Sequence, residues 1–293
     1  MSAARLAAAL ADQDPETRRR AVLACVDEID PSLGAPLLKA LGDPDWRVRK
    51  EAVQVAIARA HAFGMIESLV GAICQGENVG LRNAALDVLE TLGEVAAPAL
   101  IAALPGVPEH ARKFVVEALG ESGGQDVVDE LAKAAISDDV NVAGEAIEAL
   151  AHISGPAAEI VLRSRLAAPD PFLRMAALDA LNRRDVALSW AELEPLLTDR
   201  LLRRVVLSAL GRTGCIEALD PLLSALEEST LHIVGVAAVA LARLIAHEGP
   251  LAEAAVPRLL SLPERARTRL RAVLSSETDA EARRAATELL LRA

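Results

Sequence analysis

Residues 35–60 read APLLKALGDPDWRVRKEAVQVAIARA, and two helices with a stop between them can be read from that stretch. Leu37, Leu38 and Leu41 give the first segment, helix A, an apolar face. Gly42 follows where a residue in the left-handed region commonly ends a helix. Asp43-Pro44 is then expected to open a second segment, helix B. Aspartate would be its N-cap, and proline would sit in the first turn, where a missing N–H costs nothing. Val48, Ala52, Val53 and Ala56 follow at the 3.6-residue period of a helix with one buried stripe.

The same unit recurs along the chain. Arg49 belongs to a series Arg18, Arg49, Arg82, Arg112, Arg174, Arg203 and Arg283, with Ala143 and Val234 standing in the same slot. The steps are 31, 33, 30, 31, 31, 29, 31 and finally 49 residues. Three, four and seven residues after the slot stand apolar residues in nearly every unit, as in Val115, Val116 and Leu119. Such a period predicts an all-α solenoid in which each unit buries its apolar face only against its neighbours. Nine B helices are expected, the first and last acting as caps. The final step requires an insertion, and Pro250, Pro257 and Pro263 place it at 249–262 as an irregular stretch. Regular repeats would then cover 1–248, and a basic helix with a capping repeat would cover 263–293.

Composition narrows the function classes. The net charge is −11, which disfavours a general nucleic-acid binder, because phosphate neutralisation by Lys and Arg supplies most of that affinity. Between residues 121 and 159, Lys133 stands against nine carboxylates. Cys25, Cys74 and Cys215 are odd in number and far apart, so they read as reduced core thiols. The opening MSAARLAAALADQDPETR reads as a helix rather than a signal peptide, since Asp12 and Asp14 cut its apolar run. The longest uncharged run is too short to span a bilayer. A soluble cytoplasmic protein without a membrane partner is expected.

The pattern D-P-x-x-x-V-R-x-x-A, from Asp43-Pro44 through Val48-Arg49 to Ala52, resembles HEAT repeats, in particular the short bacterial phycobilisome-lyase-like kind. The resemblance covers the chain apart from 249–262. It implies a right-handed superhelix of about nine helix pairs, with B helices lining the concave side. It also implies that Asp43, Arg49, Arg82, Arg112, Arg174 and Arg203 form a structural ladder between units. The function it implies is that of a non-catalytic, protein-binding scaffold or adaptor in a bacterial cytoplasm. A bilin lyase or chaperone of the same group, and a self-assembling structural protein, are the alternatives.

Asp87, Glu117, Glu148 and Asp179 stand five residues after the slot in four consecutive units. At 100° per residue that position points away from the apolar stripe. Glu90, Glu121 and Glu145 add to the same side, and Ala143 removes an arginine amid them. As a binding stripe these carboxylates would receive Arg or Lys side chains from a basic helix or extended segment; otherwise they form a solvated face. Arg265, Arg267, Arg269 and Arg271 suit a solvated cap or head-to-tail self-association with the stripe of a second copy. The five histidines are scattered singly, and no phosphate loop or nucleophile–base arrangement appears. No catalytic residue, metal or cofactor is therefore expected. The absence of Tyr argues against an aromatic-lined bilin cleft.

Overall fold

The computed structural model describes residues 1–75, 77–122, 124–228, 230–246 and 250–276, and among them no strand occurs. Helices follow one another as A–B pairs. They are α1 (Ala3–Ala9) with α2 (Pro15–Leu23), α3 (Gly34–Leu41) with α4 (Trp46–Arg59), and α5 (Ile66–Ile73) with α6 (Val79–Leu92). Next come α7 (Ala97–Ala103) with α8 (Glu109–Gly120), and α9 (Gln125–Ala134) with α10 (Val140–His152). Then follow α11 (Pro156–Arg165), α12 (Pro171–Arg183), α13 (Trp190–Leu193), α14 (Arg203–Leu210), α15 (Leu219–Leu226) and α16 (Leu231–Ala246). The pair α17 (Pro250–Ser261) and α18 (Glu264–Ser276) comes last. The chain divides into two compact units, Met1–Val161 and Leu162–Ala293. The fold is an α-solenoid, as the period requires.

Helix starts follow a rule that the reading of Asp43-Pro44 placed two residues early. Asp14, Asp45, Asn78, Asp139 and Asp170, each four residues before the slot, cap α2, α4, α6, α10 and α12 by accepting backbone N–H groups of the first turn. Asp45, not Asp43, is therefore the cap of α4, and Pro44 precedes it. Asp43 is committed elsewhere, to a buried ion pair. Gly42 is not left-handed either, with φ −98°. It is needed for close approach: a Cβ there would lie 2.9 Å from Nδ2 of Asn78 in the next repeat.

Positions three and seven after the slot are buried in all eight described units, as in Ala21 and Cys25, Ala85 and Leu89, Ala146 and Leu150. Position four is buried in most units, but Val53 and Leu86 stay half-buried. Burial raises the thiol pKa of Cys25.

Adjacent repeats are clasped by charge near the start of the chain and again between Arg174 and Glu228. Arg18 pairs with Asp43 through two hydrogen bonds of 2.8 Å, both side chains almost fully buried. Arg174 reaches Asp199 at 2.8 Å, and Arg203 reaches Glu228. Each clasp spans 25 residues. Arg49 and Arg174 also donate to two carbonyls of the loop before their own helix, as Arg18 does. Arg82 behaves differently. Val107 stands 25 residues on, and the Arg82 guanidinium lies over the Phe114 ring, 4.5 Å from its centre.

The stretch expected to be irregular is helical: α17 runs over Pro250–Ser261. Pro250 occupies its first position, where proline is tolerated. Pro257 lies inside the helix at the loss of one backbone hydrogen bond. The ninth B helix among the described residues is α18; Gly249 and the predicted helix around Arg283 lie outside them.

Candidate carboxylate face

The B helices α6, α8 and α10 pack side by side in the first unit, and α8 and α10 approach closely because Gly120 lies against Ala149. Across these three helices run Glu90, Glu117 and Glu145, all half-buried. Burial pushes the Glu90 carboxyl up to about 7, and the charges of Glu117, Asp87, Glu121 and Glu145 push it the same way. Glu145 is raised by burial, then by Glu117 and Glu148. Glu117 is raised by burial, although Lys113 and Arg82 pull it back. Six of the seven predicted site residues thus act on one another electrostatically within one unit.

Their arrangement differs from the predicted stripe. Glu90, Glu117 and Glu145 stand eight, five and two residues after their slots, so the row climbs diagonally, about one turn per repeat. The constant-register reading gave Asp87, Glu117 and Glu148 the leading part; Asp87 is exposed, Glu121 caps the end of α8, and Glu148 has His152 3.4 Å away. Asp179 lies in the second unit, where Arg204 at 3.3 Å and Arg183 at 3.8 Å answer its charge. Continuing the diagonal would have located the row's ends: Ala60 before it and Leu173 after it.

A groove adjoins this row. Trp46, Val53 and Val79 line an opening of about 600 Å³ between α4 and α6, with Lys50 on one side and Asp87 on the other. Trp46 is 61% exposed and Val79 52%. Nothing in the composition singled out Trp46; the available signal was its place outside the buried stripe.

The basic helix is α18. Ala266 and Leu270 are buried beneath it, Arg267 and Arg271 pair with Glu264, and Arg269 donates to the Glu228 carbonyl. Arg265 is exposed. Among the described residues no group of three or more His, Cys, Asp or Glu side chains is placed to hold a metal ion. No single described helix is long and apolar enough to cross a membrane.

No curated protein matches the chain by sequence. Among solved structures, an Escherichia coli protein, YibA, is similar at 14% identity, with 96% of this chain and 98% of that one covered and a TM-score of 0.56. The karyopherin Kap121p, in its complex with the extreme C-terminus of the protein phosphatase Cdc14p, is similar at 14% identity and a TM-score of 0.60. That match covers 98% of this chain but spans only 39% of the karyopherin. At these identities the likeness is one of fold. The HEAT repeats family matches residues 3–90 and 97–182, more than half the chain, so this protein belongs to the HEAT-repeat family.

Proposed function

We propose that the protein is a binding scaffold whose B-helix face over α6, α8 and α10 receives basic side chains of a partner protein. The observation that carries this reading is the diagonal of Glu90, Glu117 and Glu145. Like charges held half-buried repel one another, and at Glu117 burial outweighs the pull of Lys113 and Arg82. An arriving Arg or Lys relieves that repulsion, so the face is complementary to cations before any partner is present. In Kap121p the same fold is found bound to a protein C-terminus, which supports a peptide segment as the kind of ligand. Asp179 is left out of the site because its charge is already answered.

The test uses arginine-containing peptides and a Glu90/Glu117/Glu145→Gln variant, which keeps side-chain shape and removes charge. Wild type is expected to bind more tightly by roughly tenfold or more, with an affinity that falls as salt rises. Equal affinity and equal salt dependence in the two proteins would return the face to solvated surface.

A further inference from the structure

Large apolar side chains left in water are informative when they border a concavity. Trp46 and Val79 begin α4 and α6, and both point outward beside the groove between those helices. Position 80, in the groove lining, is glycine, and a Cβ there would sit 3.3 Å from Cδ of Arg49. The volume of about 600 Å³ lies in the range that holds a small ligand or one large side chain with its backbone. The groove also carries opposite charges on its two sides. Lys50 stands on its α4 side and Asp87 on its α6 side. Asp87 belongs at the same time to the carboxylate face, since its charge acts on Glu90. Groove and face are therefore one continuous surface within one unit.

We propose that this groove seats an apolar anchor residue of the partner segment whose basic residues lie on the carboxylate face. The inference rests on the function proposed above and specifies its ligand. Neighbouring helices pack about 8–10 Å apart. A polyproline-type segment has three residues per turn and rises about 3.1 Å per residue, so it presents the same face about every 9 Å. Crossing the B helices, it would meet each repeat with every third side chain. An apolar residue in the groove then places the third residue beyond it at Asp87 and Glu117, which share one register. The sixth lies at Glu117 and Glu145. Lys50 favours an acidic residue on the opposite side of the anchor. Phosphate-rich ligands are disfavoured by the same row of carboxylates.

The experiment uses the full chain carrying Trp190→Phe, which leaves Trp46 as its sole tryptophan. The probe is a Pro/Ala-rich peptide with one leucine and arginines at the third and sixth positions after it. Binding is expected to shift Trp46 emission to shorter wavelength. Replacing the leucine by serine, or moving the arginines to every second position, is expected to weaken binding roughly tenfold or more. Val79→Glu, an acidic residue at a helix start where the fold tolerates it, should abolish the emission shift with helical circular dichroism unchanged. If the peptide binds through Glu90, Glu117 and Glu145 but Trp46 emission and the leucine make no difference, the groove inference is overturned and the scaffold reading stands. If no arginine peptide binds, both are overturned. Equal binding of the two arginine spacings overturns the every-third register.

Discussion

Glu90 shows what a single residue can carry in this fold. Its carboxyl is raised from 4.5 to about 7, first by burial and then by Glu117 and its neighbours, so the folded chain holds this proton more tightly than the unfolded chain. Between about pH 4.5 and 7 the native state binds more protons, and stability must fall as pH rises through that window. Glu117 and Glu145 are raised too, and add to the same slope. Wild type is therefore expected to melt roughly 2–4 °C higher at pH 5 than at pH 8, after allowance for screening. Glu90→Gln should flatten that dependence and raise the melting temperature at pH 8. A melting temperature that climbs from pH 5 to pH 8 would contradict the burial of these groups.

Asp43 makes the opposite point about charge. Its pair with Arg18 is enclosed, whereas Asp199, paired with Arg174, is partly open to solvent. Removing one member of an enclosed pair strands the other. Asp43→Ala should therefore cost roughly 3–5 kcal/mol and Asp199→Ala only about 1 kcal/mol, read by denaturant unfolding. Similar losses would mean that burial does not distinguish the two clasps.

At the scale of helices, close approach decides what glycine is for. In α8, a Cβ on Gly120 would lie 2.9 Å from the Ala149 Cβ of α10. In α5, a Cβ on Gly71 would meet nothing within 4 Å. Alanine is worth about 1 kcal/mol over glycine within a helix, while overpacking costs about 1–3 kcal/mol. Gly71→Ala should stabilise the protein, and Gly120→Ala should be neutral or destabilising although the replacement is the same. Thermal unfolding of the two variants checks this, and a matched gain in both would show that α8 and α10 are free to move apart. Because the diagonal of carboxylates crosses this contact, the spacing that Gly120 permits also sets how strongly Glu117 and Glu145 repel.

For the whole molecule, the arginine period made the repeats legible, because stacking neighbours forces every unit to bury the same positions. It misjudged what is not periodic. Asp43 looked like a cap, and only a partner 25 residues away, Arg18, gives it a different task. The same interval joins Arg174 to Asp199 and Arg203 to Glu228, so the clasp was present in the sequence as a second period. The prolines of 249–262 looked like breaks, yet Pro250 starts α17 and Pro257 lies within it. Of the site, the acidic character was visible but its geometry was not. A fixed register ranks Asp87 and Glu148 beside Glu117, whereas burial raises the carboxyls of the diagonal Glu90, Glu117, Glu145.

The clasps bear on how such a chain can change in length. The stretch between Arg174 and Glu228 behaves like a string of matched couplings: the repeat there carries a carboxylate, Asp199, facing backward and an arginine, Arg203, facing forward. A copying event that doubles it supplies both halves of each new joint, so repeat number can grow there one unit at a time without an orphaned charge. From Arg82 to Ala143 no coupling of that kind occurs among the described residues, and the carboxylate row depends on three particular helices in sequence. An added or lost unit there would break the row. Descent should therefore leave the clasped stretch variable in repeat number and the centre fixed at one count.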